Sequence, residues 1–225
     1  MKKKEIREKY YDYVVENKKP PKSLGRFIKS SVISKDDFLK KYDDLSEVEA
    51  DIWKHSLKDV LETLRDSAEF AAYSNKDRGL AMVYSWFEFM ELNEKFFKNC
   101  NIINLGPCAS QKHLEKFKKT AKKFVKNLVK GGKNTSEFKD RGIPDKFMVN
   151  SFWSLFSMNL SSWKKCSKSK KKQEDWETVI TNERNPKSLD NDGYFRLFYA
   201  ENPCPKYLAR GVYDEFFAVV NGVTE

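Results

Sequence analysis

The residues best placed to do chemistry crowd the first 41 positions, where thirteen Lys and Arg stand against six Asp and Glu. A surplus of seven positive charges held in one short stretch is the localised field that draws phosphate groups. Directly after it the sign reverses, and from 42 to 60 six acids outnumber two lysines. A basic head therefore meets an acidic junction. A second lysine concentration comprises Lys116, Lys118, Lys119, Lys122, Lys123 and Lys126, and a third runs from 164 to 172.

Other chemistries lack their carriers. There is no G-x-S-x-G elbow, no phosphate-cradling Walker loop, no H-E-x-x-H and no Cys/His pair whose neighbours would activate a nucleophile, so no enzyme and no cofactor are expected. Asp190-Asn191-Asp192-Gly193 resembles part of a calcium loop. Setting its glycine at the sixth position puts Ser188 first and Tyr199 last, where carboxylates are required, so it reads as a turn. Cys100, Cys108, Cys166 and Cys204 form no C-x-x-C pair, and only His55 and His113 could join them, which fits reduced thiols better than a metal site or disulfides. Charges recur from Lys2 onward, and no apolar run approaches the roughly 18 residues a bilayer crossing needs. The expectation is a cytoplasmic protein without membrane contact.

The elements that must position these charges are helices. Glycine and proline are scarce, and apolar residues recur at three- and four-residue spacing, so the chain reads as all-α. With 40% hydrophobic residues, 17 Phe and 5 Trp among them, it has enough apolar mass to fold. Ile6, Tyr10, Tyr13, Val14 and Asn17 mark one face of a first helix, which must end before Pro20 and Pro21. Ser23 offers an N-cap to a short second helix with Leu24, Phe27 and Ile28 inside, and Ser34 offers one to a third with Phe38, Leu39 and Tyr42. Ser46 with Glu49 reads as a capping box opening a long helix through Val48, Ile52, His55 or Leu57, Val60 and Leu64. Asn75, Lys76 and Asp77 read as a turn. Leu80, Val83, Tyr84, Phe87, Met90 and Leu92 then lie in an aromatic-rich helix ending near Asn99. From 111 to 130 a strongly amphipathic helix turns Leu114, Phe117, Ala121, Phe124, Val125 and Leu128 inward, and its lysine side reads as an ordinary exposed face. Gly131 and Gly132 should stop it. Pro144 suits the first turn of a helix with Phe147, Met148, Phe152, Leu155, Phe156 and Leu160 inside. Trp176, Val179 and Ile180 suggest another helix, and 207 to 220 a last one.

Three short helices with a tight turn between the second and third form the arrangement that lets one helix enter the major groove while its neighbour braces the backbone. Ser23-Leu24-Gly25-Arg26-Phe27-Ile28-Lys29-Ser30-Ser31-Val32-Ile33-Ser34-Lys35, followed by Phe38-Leu39-Lys40-Lys41-Tyr42, resembles the DNA-binding head of the tetracycline-repressor-like (TetR/AcrR) regulators. The resemblance covers residues 5 to about 53 and lies in pattern more than in identity. It implies that Ser23 caps the second helix against a phosphate, Lys35 leads the recognition helix into the groove, and Lys40 or Lys41 reaches the backbone. Arg26, Ser34 and Asp37 complete the DNA-facing set, while Phe38 and Tyr42 are core. The chain departs from the family pattern where Val32 replaces the turn glycine, Asp36-Asp37 the Gly-Thr pair, and Leu39 the phosphate-contacting tyrosine.

Two units follow from this reading: residues 1–45 as a helix-turn-helix DNA-binding module, and 46–225 as a larger helical ligand-binding and dimerisation domain. Trp86, Phe87, Met90, Trp153 and Phe156 either line a pocket for a small apolar ligand or serve as core or dimer face. The expected function is a homodimeric one-component transcriptional regulator that binds double-stranded operator DNA and responds to such a ligand. The alternative keeps the fold but binds an apolar ligand or a protein partner without DNA.

Overall fold

The computed structural model describes residues 1–100, 114–138 and 144–165. Among them it is built of helices with no strand: α1 (Lys3–Asn17), α2 (Leu24–Ser31), α3 (Lys35–Leu39), α4 (Leu45–Asp66), α5 (Ala68–Ala72), α6 (Asn75–Leu92), α7 (Glu94–Phe97), α8 (Glu115–Asn134) and α9 (Asp145–Lys165). Over these residues the all-α expectation holds. Elements foreseen beyond residue 165, including the last helices, lie outside the described residues.

Helices α4, α6, α8 and α9 pack around aromatic side chains. Lys116 near the start of α8 pairs with Glu47 near the start of α4 at 3.1 Å, whereas Gly131 near the end of α8 abuts Asn75 at the start of α6. Lys133 pairs with Asp145 at the start of α9 at 2.9 Å. Helix α8 therefore runs the same way as α4 and opposite to α6 and α9. At its start, Phe117 packs against Trp53, Trp86, Trp153 and Phe156. One continuous hydrophobic core extends from Ile6 in α1 to Trp163 in α9.

The 3.6-residue pattern located most buried positions. Ile6, Tyr10 and Val14 of α1 are buried, as are Phe38, Tyr42, Leu57 and all six inward residues assigned to α8. Tyr13 and His55 are half-buried and Asn17 is exposed, its amide donating to the Tyr13 carbonyl oxygen. Leu39, Leu92 and Phe147, placed inside by the sequence pattern, are 45%, 81% and 57% exposed. All three lie near helix ends.

Three local expectations are corrected. The cap opening α4 is Asp44 and not Ser46 with Glu49: Asp44 accepts from the Glu47 N–H at 2.8 Å, and the Glu47 carboxylate reaches past the cap to accept from the Asp43 N–H at 3.1 Å. Asp caps as well as Ser does, and the earlier start frees Glu49 to turn inward, where it accepts from the Tyr10 hydroxyl at 2.9 Å. Residues Asn75, Lys76 and Asp77 form the first turn of α6, not a preceding turn. Ser74 caps it, and the Glu137 carboxylate accepts from the Asn75 and Lys76 N–H groups. Gly131 and Gly132 do not stop α8. A Cβ at Gly132 would fall 2.2 Å from the Phe138 ring and one at Gly131 2.4 Å from Asn75, so both glycines permit close packing inside a helix that continues to Asn134.

The aromatic helix ending near Asn99 is divided at Asn93. That side chain donates to the Phe89 carbonyl oxygen and accepts from the Tyr11 hydroxyl, and the short α7 beyond it buries Phe96 and Phe97.

Candidate nucleic-acid interface

Helix α2 begins where Ser23, in extended backbone, accepts from the Arg26 N–H at 3.3 Å, so the cap is as expected from the sequence. Its single fully buried side chain, Phe27, meets Tyr10 and Tyr13 of α1 edge-on and Phe38 of α3. The Lys9 ammonium, donating to the Ser31 carbonyl oxygen at 2.6 Å, ties the end of α2 to α1.

Val32, Ile33 and Ser34 make the turn between α2 and α3. Val32 takes the left-handed conformation, φ 51° and ψ 55°, while the Val32 and Ile33 N–H groups both bond to the Ile28 carbonyl oxygen. Ile33 is buried and fastens the turn to the core. A β-branched residue is strained in this region, and Val32 is 87% exposed, so little packing offsets the strain. Val32→Gly should therefore raise stability by about 1 kcal/mol after the backbone entropy of glycine is charged against it. The readout is the urea midpoint, and an unchanged or lowered midpoint would show that the turn does not hold this conformation.

Helix α3 starts at Lys35, with Ser34 in the N-cap position but making no side-chain capping bond. Asp36 and Asp37 occupy its first turn, where negative charge complements the N-terminal dipole. They serve a five-residue helix that needs local support. Phe38 and Tyr42 anchor it inward. Ser23, Arg26, Ser34, Lys35, Lys40 and Lys41 are all exposed, and Asp37 is half-buried. The folded head thus presents six of its seven proposed DNA-facing residues to solvent.

What the sequence did not disclose is how the head is fastened to the body. Asp51, 7% exposed, accepts from Arg7 and from the Tyr42 hydroxyl, both at 2.8 Å, and lies 3.7 Å from His55 Nε2 and 4.0 Å from the Lys54 ammonium. Burial pulls the Asp51 carboxyl upward, but hydrogen bonds from Tyr42 and Arg7 and the nearby positive charge outweigh it and leave the group below its ordinary range. His55 is held below its ordinary range by burial and then by Arg7. Tyr10 and Tyr42 are pushed up, first by burial and then by Glu49 and Asp51 respectively, so both stay protonated. The visible signal was the acidic stretch after the basic head: two of its acids are buried against α1.

The five aromatic and methionine candidates are brought together, each buried. Phe87 meets Phe156 at 6.0 Å between ring centroids, Trp153 meets Phe156 at 6.2 Å, and Trp86 and Trp153 both reach Phe117. No family model matches the chain, and neither a curated protein nor a solved structure does. The functional reading therefore rests on geometry and charge. Among the described residues no three His, Cys, Asp or Glu side chains group as metal ligands, and no helix is long and apolar enough to cross a membrane.

Proposed function

We propose that α1–α3 form a helix-turn-helix head that binds double-stranded DNA, and that the chain is a one-component transcriptional regulator of tetracycline-repressor-like organisation. The observation that carries this reading is the α2–α3 unit itself: two helices joined by a three-residue turn, braced by α1, with Arg26, Lys35, Lys40 and Lys41 exposed on it. Two copies would set their heads on half-sites about 34 Å apart. A small apolar ligand preferring one arrangement of the helical body would alter that spacing.

Fluorescence anisotropy of labelled genomic fragments at low salt tests the head. Joint charge reversal, Lys35→Glu with Lys40→Glu and Lys41→Glu, should weaken binding on the order of a hundredfold or more by removing backbone contacts. Equal binding by this variant and the unaltered protein would refute a DNA-binding head. A second reading draws on Asp36 and Asp37, whose carboxylates would repel phosphates: the same fold binding an apolar ligand or a protein partner without DNA. Undetectable DNA binding at low salt would favour it.

A further inference from the structure

Helix α8 has two opposed faces. Phe117, Ala121, Val125 and Val129 are buried in the core, while Lys119, Lys123, Lys126 and Lys130 are exposed on the other side. Spacings of four, three and four residues keep these lysines on one line, about 16 Å long at 1.5 Å per residue. Flanking lysines are engaged: Lys116 pairs with Glu47, Lys122 donates to Asn150 at 2.6 Å, and Lys118 lies over the Trp153 ring. The row itself has no ion-pair partner among the described residues.

That arrangement opposes stability. Like charges one turn apart repel. Several lysines at other helices stand a turn from an acid, as in Lys4 with Glu8, Lys54 with Asp51 and Lys98 with Glu94. On α8 the only acid is Glu115, at its start. A bare row of like charge attracts a polyanion, whose phosphates would relieve the repulsion between its lysines.

We propose that this row is a second binding surface, one that follows the phosphate backbone of double-stranded DNA without reading its bases. Lysine is a compact point charge suited to phosphate contact. Helix α8 contains no arginine for forked contacts to guanine, which disfavours base readout, and its aromatic side chains are buried, which excludes base stacking from this face. Each strand carries one phosphate per about 3.4 Å of duplex axis, so the row spans several of them. A membrane surface fits less well, because an interfacial helix dips its apolar face into lipid and here that face is spent on the core. The row begins one turn beyond Lys116, whose partner Glu47 caps the junction between α3 and α4. It therefore starts at the end of the body that carries the head.

The test is the salt dependence of binding to a labelled random-sequence duplex by the full chain. It compares the unaltered protein, a quadruple variant (K119Q, K123Q, K126Q and K130Q), the corresponding quadruple arginine variant, and the head variant K35Q, K40Q and K41Q. Glutamine favours helix, so the quadruple variant should fold, and far-UV circular dichroism checks that it does. The slope of log affinity against log salt should fall by about three to four, at roughly 0.9 per phosphate contact, with affinity at 0.1 M salt down on the order of a hundredfold or more. The arginine variant should retain binding. An unchanged slope in the folded glutamine variant overturns the proposal, as does binding by the unaltered protein to anionic phosphatidylserine vesicles but not to the duplex. Loss of binding in the glutamine variant with none in the head variant upholds the row while refuting the head, and the converse refutes the row alone.

Discussion

The Phe117→Ala variant is expected to unfold with about 4 kcal/mol less stability than the unaltered protein, measured by urea denaturation. Phe117 is fully buried, and its ring meets Trp53 of α4 at 5.4 Å, Trp86 of α6 at 5.0 Å, and Trp153 and Phe156 of α9 at 6.0 and 6.1 Å. Three helices converge on one side chain of a fourth. Truncation removes the buried ring and several aromatic pairs, each worth about 0.5–1.5 kcal/mol beyond its area. The cavity left behind is walled by planar rings held from different helices, which collapse poorly into a gap. Phe147→Ser, on a residue more than half exposed, should stay within about 0.5 kcal/mol and serves as the control. A loss below about 1 kcal/mol at Phe117 would mean that these rings enclose space instead of filling it. That outcome would strengthen the proposal of a ligand pocket at Trp86, Phe87, Met90, Trp153 and Phe156.

Why such a centre was partly legible follows from the range over which each signal acts. Helical periodicity is local and repeated, so the inward residues of α8 and the anchors Phe38 and Tyr42 could be read from spacing alone. A cap is decided by one or two bonds. Asp44 with Glu47 and Ser46 with Glu49 satisfy the same four-residue pattern two positions apart, and nothing local reveals that Glu49 serves instead as acceptor for Tyr10, 39 residues away in sequence. Gly131 and Gly132 likewise look like a helix stop until Phe138 and Asn75 are known to press against them. Leu92 and Phe147 sit on the periodic face yet stay exposed, because periodicity describes a helix and not where its neighbours end. For the head, the separation of charge between residues 1–41 and 42–60 was readable. Its consequence, Arg7 and Tyr42 bound to a buried Asp51, required the third dimension.

Asp51→Ala is expected to cost about 3–5 kcal/mol at neutral pH, because removing one partner of a buried pair strands the other. Asp51 holds Arg7 of α1 and Tyr42 of the segment following α3, so both sides of the head lose their shared acceptor at once. The sign of the pH dependence follows from the direction of each shift. Asp51 titrates lower when folded than when unfolded, so its contribution is fully present above about pH 4 and is lost as pH falls through the folded value. His55 is also lowered on folding. The unfolded chain therefore takes up its proton first, and stability begins to fall below about pH 6.5. Acid should thus weaken the head–body junction in two stages, first through His55 and then through Asp51. Asp51→Asn, which keeps the shape but not the charge, should remove the second stage, so the stability gap between it and the unaltered protein narrows below pH 4. A gap that stays constant from pH 7 to pH 3 would show that Asp51 does not bear its charge against Arg7, and that the head is held by apolar packing alone.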